Sequence, residues 1–342
     1  MNESYDFIKA CYGQPVARTP VWLMRQAGRY LPQYRKIREE VTFLELCKTP
    51  ELAAEVTLQP VDVLGVDAAI LFSDILVPIE PMGQRLHYRP APELEPPVRS
   101  ESDVAALRVL QPEQDVPYVF ETIRLLRREL AGRVPLIGFG GAPFTLACYM
   151  VEGAGSRHFL ALKRLMYQSP TIYAQLMDKI TDTSIVYLRA QAEAGAQALQ
   201  VFDSWGGILS PADYQRYVLP YSHRLLAALE DLGVPLIHFV KGAGNMLDLV
   251  ASAGGQVVGL DWCIALNKAR DILGGKMAVQ GNLDPSVLLG DQTIIEREVR
   301  RILDENAGRP GHIFNLGHGI LPEVPPENAA FLVECVHRLS QI

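Results

Sequence analysis

Cysteine is sparse in this 342-residue chain, and badly spaced for any framework. Cys11, Cys47, Cys148, Cys263 and Cys335 are five in number, widely scattered, with no C-x-x-C pair among them. An odd, dispersed set excludes a disulfide scaffold, and without histidines at ligand spacing it argues against a zinc ribbon. Runs of positive charge are missing too. Lys and Arg total 32 against 39 Asp and Glu, a formal net charge of -7, so nucleic acid is not an expected partner. No stretch is apolar for long enough to span a bilayer, and the N-terminal residues lack a signal core. Membrane insertion is therefore not expected, and the cytoplasm is the default location.

What is there reads as a compact globular protein, 49% hydrophobic and 21% charged, which excludes disorder. Its overall negative field repels an anionic ligand, so such a ligand would need a local cluster of cationic groups.

Short apolar runs rich in Val, Ile, Leu and Phe recur with helical patterns between them, the signature of buried parallel strands. They fall at Pro20 to Met24, Ala68 to Phe72, Val134 to Phe139, Ala198 to Phe202, Pro235 to Val240, Val257 to Leu260, Met277 to Gln280 and His312 to Leu316. Eight runs predict an α/β fold, a single-domain (β/α)8 barrel over residues 1–342 with its active site at the C-terminal ends of the strands. Thr49-Pro50, Ser169-Pro170, Ser210-Pro211 and Asp284-Pro285 each set an N-cap residue before a proline at the first helical position. After Ser169, an apolar stripe of Ile172, Leu176 and Ile180 predicts a helix that Gly195 ends, and Pro220 predicts a kink in the helix begun at Pro211. The proline-studded stretch from Val77 to Val116 reads as a surface loop with a short helix around Ser102 to Leu107, or, in a sharper reading, as a flap over the site.

Just past the apolar runs stand polar, charged or glycine positions: Arg25, Arg29, Asp74, Gly140-Gly141, Ser204-Trp205, Lys241-Gly242, Asp261-Trp262, Asn282 to Asp284 and His318. Arg25 and Arg29 lie four apart around Ala27-Gly28, so both can serve one pocket, and their planar forks suit carboxylates; ordinary surface salt bridges are the alternative. Asp74 ends the run A-A-I-L-F-S-D, where a carboxylate needs a partner or a purpose, though capping the arginine loop would satisfy it. In GFGGAPFTLACYMVEG, Gly138 to Gly153, the glycines permit close backbone approach to a ligand and lead into a helix bearing Tyr149. That segment lacks both the G-x-G-x-x-G spacing and the Walker lysine, which removes nucleotide binding. His318 sits between glycines in NLGHGI with no second histidine or cysteine at ligand spacing, which speaks against a metal.

PVWLMRQAGRY at Pro20 to Tyr30 and GFGGAPFTLACYMVEG together resemble the two diagnostic motifs of the uroporphyrinogen decarboxylase family. The resemblance extends over the chain through LFSDIL at Leu71 to Leu76, FDSWGG at Phe202 to Gly207, QGNLDP at Gln280 to Pro285 and NLGHG at Asn315 to Gly319. It implies a barrel, commonly a homodimer, that converts uroporphyrinogen, a polyanionic tetrapyrrole, to coproporphyrinogen in haem and chlorophyll synthesis without metal or organic cofactor. By position in those motifs it makes Arg25, Gln26, Ala27, Gly28, Arg29 and His318 resemble carboxylate-binding groups, and Tyr149 and Ser204 further substrate contacts. Asp74 resembles the essential carboxylate that faces the pyrrole nitrogens. Arg25 is the first candidate proton donor, with Tyr149 or a water as the second. Two competing readings are a zinc- or cobalamin-linked methyltransferase and a tetrapyrrole carrier. The first would want H-x-C, but His238 is followed by Val240 and His312 by Phe314; the second has no need of Asp74.

Overall fold

In the computed structural model, which describes residues 5–341, seven of the expected runs form one parallel sheet. Its strands, in spatial order, are Ala69–Ile70, Leu136–Gly141, Ala198–Asp203, Leu236–Val240, Val257–Gly259, Ala278–Gln280 and His312–Ile313. Leu136–Gly141 and Leu236–Val240 are buried at every position, which is why they read as continuous apolar runs and not as alternating ones. No helix of the described residues is long and apolar enough to cross a membrane.

The eighth run, Pro20 to Met24, is not a regular strand. On one side its backbone pairs with the continuation of the last strand, Phe314 N–H donating to Pro20 O (2.8 Å) and Trp22 N–H to Phe314 O (3.3 Å). On the other side Asp67 N–H donates to Val21 O (2.8 Å), but Val21 N–H donates to the Asp67 carboxylate (2.8 Å). A side chain there replaces the backbone carbonyl of a ladder, so the run joins the two outer strands without continuing the sheet. His337 Nε2 and Arg18 Nη2 also bond that carboxylate, at 2.6 and 3.2 Å.

Helices cover the sheet. The longest, Pro170–Ala194, starts on Pro170 and stops at Gly195, and lays Leu176, Ile180, Tyr187, Leu188 and Gln191 against the strands, with Ile172 only half-buried. This helix corrects the expected use of the strand glycines. A Cβ at Gly138 would come within 2.6 Å of Gln191 Oε1, and one at Gly140 within 3.2 Å of Leu188, so these positions admit a helix and not a ligand. Gln191 fills the space by accepting from Phe139 N–H (2.9 Å) and donating to Phe139 O (2.8 Å).

All four Ser/Thr/Asp-Pro pairs start helices, but only Ser210 and Asp284 cap with their side chains, to Asp213 N–H and Ser286 N–H. Thr49 turns its hydroxyl back to Glu45 O instead (2.8 Å). The break expected at Pro220 is a π-helical turn, Tyr214–Val218, directly before the helix Leu219–Ala227. The stretch from Val77 to Val116 is more ordered than a surface loop. Beyond the expected short helix, Glu101–Ala106, it holds a 3-10 helix, Val77–Met82, and an antiparallel hairpin, Arg85–Tyr88 with Pro92–Glu95. Leu86 and Leu94 face each other in it and are both buried. The hairpin is fastened to the end of the helix Pro143–Glu152 by Leu94 N–H to Gly153 O (2.7 Å) and by Gln84 Nε2 to Met150 O (3.1 Å).

Candidate active site

The loop after Val21 is built around one buried glutamine. Gln26 accepts from Leu23 N–H (3.0 Å), donates to Ala68 O (3.1 Å) and receives the Tyr30 hydroxyl on its backbone carbonyl (2.8 Å). Its side chain is thereby spent on the scaffold. Met24 is pinned from the far end of the chain, its N–H to Asn315 Oδ1 (2.9 Å) and its carbonyl to Ile320 N–H (2.8 Å). The result pushes Arg25 outward with φ of 64°, an unusual conformation for a side-chain-bearing residue. Gly28 makes room for it, since a Cβ there would sit 2.8 Å from Arg25 O. Ala27 and Gly28 are half-buried. Arg25 and Arg29 are exposed, and among the described residues neither makes an ion pair. The surface-salt-bridge alternative is therefore not what the loop adopts.

Asp74 is half-buried by surface, yet so enclosed by protein that burial raises its pKa; Leu76 N–H, Tyr88 and Arg25 oppose that rise. Leu76 N–H donates to Oδ1 at 2.8 Å. Tyr149, on the helix Pro143–Glu152, stands edge-on to Trp205 (6.4 Å between centroids). Its pKa is raised by burial first and then by Asp74, while Trp205 and Arg25 act the other way, so Tyr149, Asp74 and Arg25 share one electrostatic neighbourhood.

His318 is half-buried against Phe239 (6.3 Å), and burial together with the charges of Arg25 and Lys241 lowers its pKa to about 3. The ring is neutral at physiological pH. Beneath it runs an aromatic arc from three neighbouring strands, Phe139 to Phe202 (5.7 Å) and Phe202 to Phe239 (6.2 Å), all edge-on. Ser204 follows Phe202 and Asp203 and has no hydrogen-bond partner among the described residues. Its turn is set by the buried Asp203, which accepts from Thr145 Oγ1 (2.6 Å) and Gly206 N–H (3.0 Å), while Thr145 Oγ1 accepts from Trp205 N–H (3.2 Å).

Lys241, three phenylalanines and Tyr88 bear on the site beyond the residues expected to form it. Lys241, over the Trp262 ring at 5.9 Å, is one of the two charges that lower the His318 pKa; its position just past an apolar run is the same signal that singles out Asp74. The three phenylalanines are each next to last or last in their expected runs, a regularity visible in hindsight. Tyr88 carries no signal without the hairpin. No group of three His, Cys, Asp or Glu side chains among the described residues converges as metal ligands would.

Exposed guanidinium groups, an enclosed carboxylate and an apolar aromatic arc thus lie in one neighbourhood. The family model described as uroporphyrinogen decarboxylase matches residues 2–339, and the chain belongs to that family. A uroporphyrinogen decarboxylase of Syntrophotalea carbinolica is 88% identical over 341 residues, covering 100% of this chain and 99% of the relative. One of Geobacter metallireducens is 68% identical over 335 residues, covering 98% of each. Among solved structures, a methyltransferase from Methanosarcina mazei superposes with a TM-score of 0.83 over 97% of each chain at 22% identity, a likeness of fold alone.

Proposed function

We propose that this chain decarboxylates uroporphyrinogen III, removing the carboxyl groups of its four acetate side chains as carbon dioxide to give coproporphyrinogen III, a step of porphyrin synthesis toward haem and chlorophyll. The observation that carries this reading is the neighbourhood of Asp74, Arg25 and Tyr149 beside the aromatic arc. We read the sheet as the wall of a single-domain (β/α)8 barrel in which Pro20 to Met24 is the first strand and the site lies at the C-terminal ends. The hydrogen bonds of Val21 and Trp22 to both outer edges support this.

Loss of carbon dioxide leaves an electron pair that needs a sink. The pyrrole itself supplies one once a proton adds to the ring carbon bearing the acetate, because the ring becomes an iminium-like cation. The C–CO2 bonding pair then flows into the ring, leaving an exocyclic methylene. A proton on that methylene makes the methyl group, and loss of the ring proton restores the pyrrole, so one proton is consumed for each carbon dioxide released. Asp74, facing the pyrrole N–H groups, stabilises the cation in a site where burial strengthens charge pairing. Arg25, Arg29, His318 and Ser204 bind peripheral carboxylates, with Lys241 as a further cation, and Gln26 through Gly28 shape the loop.

Arg25 is the first candidate for proton donor by its position. Tyr149 or a bound water is the second, and the raised pKa of Tyr149 keeps its proton in place to be given. The reaction in this form uses no metal or organic cofactor, and the protein works as a cytoplasmic homodimer. An anaerobic assay of exhaustively chelated protein with uroporphyrinogen tests the whole scheme. Turnover is expected; activity abolished by chelation and restored by zinc would overturn its cofactor-free part, and absence of turnover under both conditions would leave a carrier.

A further inference from the structure

One polar group at the site has no task in that mechanism. Among the described residues the buried hydroxyl of Tyr88 meets strict hydrogen-bond geometry with no partner, an uncommon state for a buried hydroxyl, yet the Asp74 side chain lies near enough to act on it as one. It arrives at the site from the hairpin, at the end of the strand Arg85–Tyr88. Its ring lies 4.6 Å from that of Phe43, and Phe43 lies 5.8 Å from Phe72, two residues before Asp74. The hairpin's bonds to Gly153 and Met150 hold it in this position, so Tyr88 is not on a loose tip.

Among the described residues Asp74 accepts from Leu76 N–H on Oδ1 (2.8 Å), and Tyr88 is the side chain that acts on it as a further hydrogen-bond partner. Tyr88 and Asp74 act on each other. After burial, Asp74 is the next cause holding the Tyr88 phenol protonated, and Tyr88 follows Leu76 among the groups that oppose the rise of Asp74.

We propose that Tyr88 is a positioning residue for Asp74, its hydroxyl donating to Oδ2 and holding the carboxylate aimed at the centre of the ligand in its ionised form. The assignment rests on the role given to Asp74 above. A carboxylate enclosed by protein tends toward neutrality, and a neutral acid would present a proton to pyrrole N–H groups that are themselves donors. One donor on each oxygen counters that tendency and fixes the plane of the carboxylate. Tyr88 can fill this part because its own proton is firmly held.

The other titratable groups facing Asp74 are Arg25 from the first loop, Cys47 from the helix Phe43–Lys48, Tyr149 and Tyr187. Burial raises Cys47, Tyr149 and Tyr187 away from neutrality. None of them changes charge where Asp74 titrates.

Tyr88→Phe keeps the ring and its contact with Phe43 and removes only the hydroxyl. Asp74 is followed in the free protein by carbon-13 carboxyl titration, assigned by the signal missing in Asp74→Asn, and kcat/KM is measured against pH. A donor to the charged form lowers a pKa, so its removal raises it. Both the Asp74 titration and the acid limb of kcat/KM should move about one pH unit higher, with turnover on that limb down roughly tenfold and thermal unfolding unchanged. An Asp74 titration that coincides with wild type overturns the proposal. The titration needs no turnover, so it stands apart from the decarboxylation reading, which fails instead if Asp74→Asn keeps its rate.

Discussion

The side chain of Arg25 crosses the backbone of Gly319 so closely that a Cβ there would overlap Arg25 Cδ and come within 2.8 Å of Cγ and Nε. The glycine beside His318 is thus a seat for the arginine of the first loop. Gly319→Ala should swing Arg25 aside, lowering kcat/KM by about 10²-fold, since a displacement of this size in a binding group has that effect. Because the obstructed atoms belong to a flexible side chain, the melting temperature should hardly move. Kinetics of Gly319→Ala, Arg25→Ala and the double variant decide the matter: the double should be no worse than Arg25→Ala alone, and additive losses would mean that Gly319 acts on something else.

Asp74→Asn should fold normally and lose about two orders of magnitude in rate if the carboxylate supplies ~3 kcal/mol to the developing cation. Binding should fall less, because the amide oxygen still accepts from a pyrrole N–H. Asp74→Glu keeps the charge at a longer reach and should lie between the two. Steady-state rates beside thermal unfolding check this, and a near-normal rate for Asp74→Asn would assign the cation to another group.

Among the described residues neither Arg25 nor Arg29 makes an ion pair, which suits the carboxylate-binding role proposed for both. Replacing either by Ala should raise KM and lower turnover, and Lys should rescue only in part because it lacks the bidentate fork. Unchanged kinetic constants in both Ala variants would remove these arginines from the site.

His238 and His312 are fully buried, and burial lowers both to about 4. Above pH 6.5 neither the folded nor the unfolded chain protonates them, and their contribution to stability is complete. Between pH 6.5 and 4 the unfolded chain takes up protons that the native state refuses, so each costs about 1.4 kcal/mol of stability per pH unit. Asp203, raised by burial to about 6, works in the opposite sense, because below pH 6 the native state binds its proton first. Among these three groups the two histidines outweigh the one aspartate, and their sum is a loss on acidification. His238→Leu should therefore gain on wild type by about 2 kcal/mol between pH 7 and pH 5, read by urea unfolding at each pH. A difference independent of pH would show that His238 protonates in the native state.

The parallel strands are legible because burial on both faces writes an uninterrupted apolar run, and the helix starts because Ser, Thr or Asp before Pro has one economical use. The Val21 run shows where pattern ends. It is apolar like the others, but no periodicity reveals that Asp67 supplies a side chain where a backbone partner is expected. Gly138 and Gly140 announce a close approach without saying of what, and the approaching group is Gln191 or Leu188. The hairpin is hidden by Pro90, Pro92 and Pro96, which suggest a loop, although proline is tolerated on a two-stranded ribbon's free edges. Arg25, Arg29, Asp74 and His318 can be picked out by residue type and place; the accommodation of Arg25 by Gly28 and Gly319 joins segments almost the whole chain apart, and one sequence does not display it.

The carboxylate of Asp67 also predicts an order of assembly. It reaches Val21 across 46 residues but His337 across 270, and the neighbouring tie from Met24 to Asn315 spans 291. Loop closure favours the short span, so Val21 and Asp67 can meet while the rest of the chain is still unformed, and the far partners dock onto an edge already in place. In refolding followed by pulsed hydrogen exchange, the Val21 amide should gain protection before those of Met24 and Phe314. The molecule would then zip shut at a seam whose first stitch is a single acidic side chain.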